Sequence, residues 1–289
     1  MTDVLQLLVS GIAVGGIYAL IAVGFVTIYA VTGVINFAQG EFAMVGAMTA
    51  AVLVARGTRL GPAAVLAVLA AALVGWVTYR GALVPARGAS DVVLIIITIG
   101  VSIVLRGLAV ILWGSQPLAL TPFSPGGPIA FGPAVVARQE LWVLALSVVV
   151  MGALAVFFGA TLFGAALGAT VMNRDASRLV GVSPSAMGQV AFALGAGLAG
   201  LAGVAIAPIS LASHDMGLML GLKGFVAAVM GGLVSAPGAV ASAFLLGVLE
   251  SLGAGLVSSG YKDALAFVIL IAVLFLRPQG LIVSSVKRV

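Results

Sequence analysis

No charged residue lies between Asp3 and Glu41 of this chain. A membrane-spanning helix needs about 20 apolar residues, because each residue adds about 1.5 Å and the hydrocarbon core of a bilayer is about 30 Å thick. The uncharged stretch exceeds that length, so we predict one long span from about Val4 to Ala30. A secretory signal would open with Lys or Arg, so we expect the N-terminus to belong to the mature fold.

Further apolar runs follow, each ended by Arg, Lys, Pro, Gly or Asp. Only 7% of the residues are charged and 63% are hydrophobic, which excludes a soluble enzyme. No pattern of alternating ten-residue strands, typical of a β-barrel, occurs in the sequence. We therefore predict a single all-α polytopic membrane domain over residues 1–289, with about eight to nine hydrophobic elements. After the first span the runs cover residues 36–56, 62–80, 91–112, 140–160, 188–208, 221–234, 237–257 and 262–277.

The connection over residues 113–139 is rich in proline and lies between Trp113 and Trp142. Proline favours extended backbone, and tryptophan is enriched at membrane–water boundaries. We predict a rigid extended loop on the outer face. Its prolines are Pro117, Pro122, Pro125, Pro128 and Pro133.

The connection over residues 173–189 is polar and charged, and it contains a glycine and a proline that can end a helix. This pattern predicts a short amphipathic helix that faces the cytoplasm. The residues that carry the pattern are Arg174, Asp175, Arg178, Gly181 and Pro184.

The net charge of +5 comes mostly from Lys and Arg at the ends of apolar runs, which indicates membrane anchoring rather than nucleic-acid binding. If the spans alternate, the C-terminus lies inside and the N-terminus outside. Arg56 and Arg59 then fall outside, against the positive-inside tendency, unless one of the first two runs is not a full span. Further inner edges are marked by Arg80 with Arg87 and by Arg277 with Lys287 and Arg288.

Residues 221–257 form an apolar stretch that is interrupted by Gly231, Gly232, Pro237 and Gly238. The part before the interruption is too short to span a membrane alone, so we predict a broken or re-entrant helix. Such breaks at membrane depth occur where protein or a water-filled cavity satisfies the freed backbone groups, which points to a substrate path. A proline-kinked packing helix without a ligand role is the alternative.

Four charged residues interrupt apolar runs: Glu41, Arg106, Lys223 and Glu250. A charge at the centre of a membrane helix costs about 2.5–3.5 kcal/mol on insertion scales. Glu41 and Lys223 adjoin glycine-rich breaks, where an interfacial position would lower that cost. We expect Arg106 and Glu250 to be paired or to face the interior, either as a structural ion pair or as ligand contacts.

Neither metal nor nucleotide chemistry is predicted on this chain. His214 lies beside Asp215 without further ligands at metal spacing, and the chain has no cysteine. No phosphate-binding Gly-x-x-x-x-Gly-Lys-Ser/Thr motif occurs in the sequence, so any ATP use belongs to a partner.

Several separated motifs resemble the branched-chain amino acid ABC transporter permeases, the LivH-like subunits. Residues 18–24 (YALIAVG) with 34–42 (VINFAQGEF) are similar to their first signature. Residues 173–184 (NRDASRLVGVSP) resemble their cytoplasmic coupling segment, which we place at about 170–189. Residues 221–239 (GLKGFVAAVMGGLVSAPGA) resemble a third signature, and Tyr261-Lys262-Asp263 with Arg277-Pro278-Gln279-Gly280 resembles the last helix. The likeness runs from about residue 11 to 282.

The resemblance implies a permease subunit in the bacterial inner membrane that pairs with a second, homologous permease. Two ATPase subunits, which hold ATP and Mg²⁺, would dock from the cytoplasm, and an external binding protein would deliver a small amino acid. By resemblance, docking falls to Asp175, Ala176, Arg178 and Gly181. The predicted substrate path is Asn36, Gln39, Glu41, Lys223, Gly231, Gly232 and Pro237.

Two departures from the family pattern stand out. The usual basic residues before the coupling segment are absent at Leu162, Ala165 and Gly168, and Gln39 stands where the family commonly has His. Urea, small amides or a ribose-like sugar remain alternative cargoes. A passive channel, or a secondary transporter coupled through Glu250 or Glu41, is the alternative from a different class.

Overall fold

The computed structural model describes residues 2–131, 134–256, 258–277 and 280–281. Pro133, Pro278, Gln279, Lys287 and Arg288, used above, lie outside this set. The described helices are α1 (Thr2–Thr32), α2 (Gln39–Ala55), α3 (Leu60–Thr78, continued by a π-turn over Tyr79–Leu83), α4 (Asp91–Trp113), α5 (Arg138–Ala160), α6 (Leu162–Met172), α7 (Arg174–Leu179), α8 (Pro184–Ser210), α9 (Met216–Gly231), α10 (Ala236–Leu256), a 3₁₀ turn (Ser259–Tyr261) and α11 (Lys262–Leu276).

The architecture confirms the predicted all-α membrane bundle. Six helices are long and apolar enough to cross a membrane, and the outer faces of α3, α4 and α5 are strongly hydrophobic, as lipid contact requires. α1 lies at the centre and packs against α5, α8, α9 and α10. The contact with α10 depends on glycine, because a Cβ on Gly11 would lie 2.7 Å from the Cα of Val248.

The connection after α4 contains a short antiparallel hairpin in addition to the predicted extended backbone. Strands β1 (Ile129–Phe131) and β2 (Ala134–Val136) pair with Ile129 opposite Val136. Gln6 at the start of α1 donates to the carbonyl oxygen of Val135 at 2.5 Å and accepts from its N–H at 2.7 Å. The start of α1 and this hairpin therefore share one end of the bundle, which we call the hairpin end.

The helix α7 lies at the opposite end, which we call the α7 end. Arg174 donates to the carbonyl oxygen of Val31 at 2.8 Å, near the last residue of α1. The turn with Arg56 and Arg59 lies at the hairpin end, because Val54 and Leu60 belong to the same apolar cluster as Leu118. The predicted topology therefore still places Arg56 and Arg59 outside, against the positive-inside tendency.

The second helix begins deep in the bundle, which fits the expectation that one of the first two runs is not a full span. α2 has 17 residues, and a break over 33–38 separates it from α1. Gln39 at its start donates to the carbonyl oxygen of Gly195, in the middle of α8, at 2.8 Å. Irregular backbone is thus enclosed by protein, as the bilayer interior requires.

The predicted break after residue 230 is present, but the helix that precedes it is longer than expected. α9 begins at Met216 and has 16 residues. Its end packs tightly on α10, since a Cβ on Gly231 would lie 2.2 Å from the backbone nitrogen of Ala239. Pro237 lies in the first turn of α10, where its missing N–H costs no helix hydrogen bond.

A helix that the apolar runs did not include follows α5. α6 has 11 residues, and the hydroxyl of Thr161 accepts a hydrogen bond from the N–H of Gly164 at its start. Gly164 lies against α5, because a Cβ there would be 2.1 Å from the carbonyl oxygen of Phe157. The chain therefore folds back sharply between α5 and α6 before it reaches α7.

Candidate substrate path and coupling surface

A group of polar residues surrounds the start of α2, and we call Asn36, Gln39, Glu41, Ser102 and Arg106 the α2 cluster. Ser102 on α4 donates to Oε1 of Glu41 at 2.9 Å, and Nη2 of Arg106 donates to the hydroxyl of Ser102 at 3.3 Å. Nε of Arg106 lies 3.2 Å from the same Oε1, close enough for an ion pair, although its N–H is not aligned as a hydrogen bond. Glu41 is only 1% exposed.

Four polar atoms of the α2 cluster are buried without a hydrogen-bond partner among the described residues. They are Nδ2 of Asn36, Oε1 of Gln39, Oε2 of Glu41 and Nε of Arg106. Burying such a group unpaired costs about 1–3 kcal/mol, so buried polar groups are almost always paired. This concentration of unmet hydrogen-bonding capacity indicates a place for water or a polar ligand.

A cavity of about 220 Å³ adjoins Ser102 and Arg106. Its volume is below the roughly 300–1,000 Å³ of pockets for drug-sized ligands, so it suits a smaller solute. Apart from the two polar residues its wall is apolar or glycine. The remaining lining residues are Phe25, Phe37, Ile99, Leu218, Gly221 and Leu222.

Asp215, just before α9, extends the charge pattern of the α2 cluster towards the hairpin end. The hydroxyl of Ser213 donates to it at 2.5 Å and is the main cause that lowers the pKa of Asp215 below its ordinary value, and Arg106 adds to this effect. Asp215 also interacts electrostatically with Glu41. The side chain of Asp215 is exposed, and it does not line the cavity beside Arg106.

A second group, which we call the α10 cluster, consists of the buried Tyr18, Lys223 and Glu250 and the partly exposed Lys262 and Asp263. Nζ of Lys223 lies 2.6 Å from Oε1 of Glu250 and 2.6 Å from Oδ1 of Asp263. The hydroxyl of Tyr18 donates to Oε2 of Glu250 at 2.9 Å, and Nζ of Lys262 lies 3.5 Å from Oε1. Glu250 is fully buried, and both its oxygens have partners.

The structure thus pairs all four charges that interrupt apolar runs. Arg106 pairs with Glu41, and Lys223 pairs with Glu250. Lys223 lies within the α10 cluster, away from the start of α2, so the predicted path residues fall into two separate places.

Gly231, Gly232 and Pro237 form the tight turn between α9 and α10. Gly232 adopts a positive φ of 83°, and Gly231 lies against Gly238. The structure shows these residues in helix packing, and their role in a substrate path stays a prediction.

The coupling segment presents a short helix at the α7 end, as predicted. Asn173 caps α7 by accepting from the N–H groups of Asp175 and Ala176. Oδ1 of Asp175 and Nη1 of Arg178 form an exposed ion pair at 3.1 Å. Gly181 follows with a φ of 83°, a conformation that favours glycine and turns the chain towards α8.

A further cavity, of about 380 Å³, lies beside α7. Its lining includes Arg87, Arg174 and Arg178. The parts of α1 and α3 that lie at the α7 end complete it. It gives the α7 end an open, positively charged recess.

Sequence reasoning missed several members of these groups. Ser102 and Asp215 carry no signature of their own, and Asp263 and Lys262 entered only through a motif of the last helix. Tyr18 lies in the first signature, but a phenol among apolar residues gives no sign of a distant carboxylate. No group of three or more potential metal ligands occurs in the part of the chain that the structure describes.

Residues 7–274 match the family described as "Branched-chain amino acid transport system / permease component". The chain is 33% identical to the high-affinity branched-chain amino acid transport system permease protein BraD of Pseudomonas aeruginosa, over 96% of this chain and 95% of that protein. It is 31% identical to LivH of Salmonella typhimurium over the same shares, and 28% identical to a probable LivH of Methanocaldococcus jannaschii over 96% of this chain and 91% of that protein.

A solved structure supports the fold. One chain of "PsaBC from Streptococcus pneumoniae in complex with Fab" superposes with a TM-score of 0.51 at 16% identity, over 93% of this chain and 91% of that chain. The chain spans 95% of the length of both BraD and the Salmonella LivH. The chain is a multi-pass membrane protein and belongs to the family of branched-chain amino acid transport permeases.

Proposed function

We propose that the chain is the permease subunit of an ABC importer that carries branched-chain amino acids across the inner membrane by alternating access. The observation that carries the proposal is the buried Glu41–Arg106 pair beside an apolar cavity of about 220 Å³ at the start of α2. Charge inside a membrane bundle is expensive, and here it adjoins both a cavity and buried polar atoms that lack partners among the described residues. The relatives named above are described as permeases for this class of solute.

The exposed surface of α7 supports a proposal for the partners of this subunit. Two ATPase subunits, holding ATP and Mg²⁺, dock on the exposed face of α7 through Asp175, Ala176 and Arg178, and their closure rocks the membrane helices. A second permease completes the pair, and an external binding protein delivers the solute at the hairpin end. The chain itself performs no chemistry, and the α7 end with the C-terminus faces the cytoplasm.

One observation argues against secondary transport coupled through Glu250. A proton- or sodium-coupled carrier needs a carboxylate that can exchange its cation. Glu250 is held by Lys223 at 2.6 Å and by the hydroxyl of Tyr18 at 2.9 Å. Its environment suits a fixed structural charge.

Affinity purification of the tagged chain from its native membranes in mild detergent, followed by mass spectrometry, tests the proposal. We expect ATPase subunits and a second permease to be recovered, and we expect Asp175→Ala and Gly181→Ala to lose the ATPase subunits. Gly168→Ala is the control, because a Cβ at Gly168 meets no atom within 4 Å. Recovery of the chain alone as a stable homo-oligomer would contradict the proposal.

A further inference from the structure

The α2 cluster places one charged side chain in the wall of a small cavity. Arg106 lines the cavity, and Glu41 is its partner at 3.2 Å. A neutral solute such as urea or a sugar needs hydrogen-bond donors and acceptors but no charge in the wall. A cationic side chain in a wall whose other residues, apart from Ser102, are apolar or glycine suits a solute that carries a negative charge.

Arg106 has unused capacity for an anion. A guanidinium carries five N–H donors in a planar fork. Among the described residues only Ser102 accepts a hydrogen bond from Arg106, and 30% of the Arg106 side chain is exposed. The remaining donors match a carboxylate, which Arg binds in a bidentate manner.

Glu41 has unused capacity for a cation. Its Oε1 accepts from Ser102, but its Oε2 is buried and has no partner within the described ranges. Oε2 lies against α9, since a Cβ on Gly217 would be 2.4 Å from it, and Gly221 one turn later lines the cavity. α2 and α9 are packed closely here, because a Cβ on Gly40 would lie 2.0 Å from the carbonyl oxygen of Gly217, so an ammonium group reaches Oε2 only when the two helices separate.

The rest of the wall suits an aliphatic side chain. Phe25 on α1 and Phe37 in the break both contact Phe225, with ring centroids 5.7 and 5.5 Å away, so the aromatic side of the cavity is held in place. Leu218 and Leu222 on α9 continue the apolar surface. A solute with one carboxylate and a compact apolar group would use each part of this wall.

We infer that the α2 cluster recognises the zwitterionic head of an α-amino acid, with Arg106 binding the carboxylate and Glu41 binding the ammonium group once α2 and α9 separate. This inference rests on the proposed function and assigns its specificity to named side chains. Binding replaces the Arg106–Glu41 contact by two contacts to the solute, so the charges stay paired when the cavity is filled.

The test uses the complex that copurifies with the chain, reconstituted into proteoliposomes with its binding protein and supplied with radiolabelled leucine. Arg106→Gln should lower leucine uptake by roughly ten- to hundredfold, the loss expected for a charged hydrogen-bonded contact. Arg106→Lys should retain part of the uptake. Arg80→Gln, which changes an exposed arginine at the end of α3, is the matched control and should leave uptake unchanged.

The double variant Glu41→Gln/Arg106→Gln separates recognition from a structural role. If Arg106 only neutralises Glu41, removing both charges restores uptake, which would overturn the inference. We expect the double variant to fold and still fail to take up leucine.

Competition for leucine binding to the detergent-purified complex, without binding protein, gives a charge-specific readout. Leucinamide, which lacks the carboxylate, should compete at least about tenfold more weakly than leucine in the wild type, and this ratio should approach one in Arg106→Gln. Equal competition in the wild type would also overturn the inference. Absence of leucine uptake by the wild-type complex would instead overturn the proposed function itself.

Discussion

Arg106 and Lys223 are both basic residues on apolar helices, and each pairs with a buried glutamate. They differ in what surrounds the pair. In the α10 cluster both oxygens of Glu250 have partners, and Lys223 contacts two carboxylates. In the α2 cluster Oε2 of Glu41 lacks a partner among the described residues, and a cavity lies beside Arg106.

The comparison shows that a buried ion pair by itself does not mark a binding site. A fully satisfied network joins α1, α9, α10 and α11 and leaves no capacity for a ligand. A partly satisfied network costs stability, and such a cost is expected where function requires it. The number of unpaired buried atoms therefore distinguishes a structural cluster from a candidate recognition site.

The largest expected effect is on the α10 cluster. Lys223→Met removes the nearest cation from Glu250, which is fully buried, so the free energy of unfolding should fall by about 3–5 kcal/mol. To measure this loss of stability, the purified protein is heated in detergent and the fraction that stays folded is followed by fluorescence-detected size exclusion. Lys262→Met is the control, because Lys262 is 43% exposed and 3.5 Å from Glu250, and its effect should stay below about 1 kcal/mol. Equal losses of stability in both variants would contradict the conclusion that Lys223 is the main partner of Glu250.

The next effect concerns the packing that places Glu41. A Cβ on Gly40 would lie 2.0 Å from the carbonyl oxygen of Gly217 and 2.7 Å from the Cα of Gly221. Gly40→Ala should therefore push α2 away from α9 and cost about 1–3 kcal/mol, with a loss of leucine uptake. The thermal assay measures the loss of stability, and the uptake assay measures the loss of transport. Gly61→Ala on α3 meets no atom within 4 Å and should keep wild-type values; a matching loss there would refute the packing argument.

A matched pair of hydroxyl deletions sharpens the contrast. Tyr18→Phe removes the donor to Oε2 of Glu250 and should cost about 1.5–3 kcal/mol, since the bond is buried and charged. Ser102→Ala removes the donor to Oε1 of Glu41, where we expect a smaller loss of stability and a larger loss of uptake. Thermal unfolding and uptake are measured on both variants. Tyr18→Phe should show the larger loss of stability, and Ser102→Ala should show the larger loss of uptake. The same ranking in both assays would contradict the distinction.

The smallest effect is expected at the exposed ion pair on α7. Asp175 and Arg178 are largely solvent-exposed, so Asp175→Asn should change the free energy of unfolding by less than about 1 kcal/mol. Recovery of ATPase subunits in affinity purification should nevertheless fall. A large loss of stability would show that α7 is held in place by this pair.

Much of the fold follows from local pattern. The uncharged stretch after Asp3 and the apolar runs predict α1, α3, α4, α5 and α8, because hydrocarbon thickness fixes their length. α6 was missed, since Thr161 and a glycine give only a weak helix-start signal after α5. The break after Gly231 was predicted from Gly and Pro, but its close packing on α10 depends on tertiary contact.

The candidate site was only partly predictable. Glu41 and Arg106 stand out as charges in apolar runs, but they lie on α2 and α4, and no local rule pairs them. The pairing of Lys223 with Glu250 was equally hidden, because the two residues lie in separate apolar runs of the sequence. Ser102 and Asp215 have no sequence signal that sets them apart from other polar residues.

The most direct test compares two double variants that each remove one buried pair, Glu41→Gln/Arg106→Gln and Lys223→Met/Glu250→Gln. Leucine uptake is measured per amount of folded complex in proteoliposomes. We predict that the first variant folds and loses uptake, whereas the second is less abundant but transports at the wild-type rate per folded complex. Normal uptake by the first variant would contradict the assignment of the α2 cluster to the substrate path.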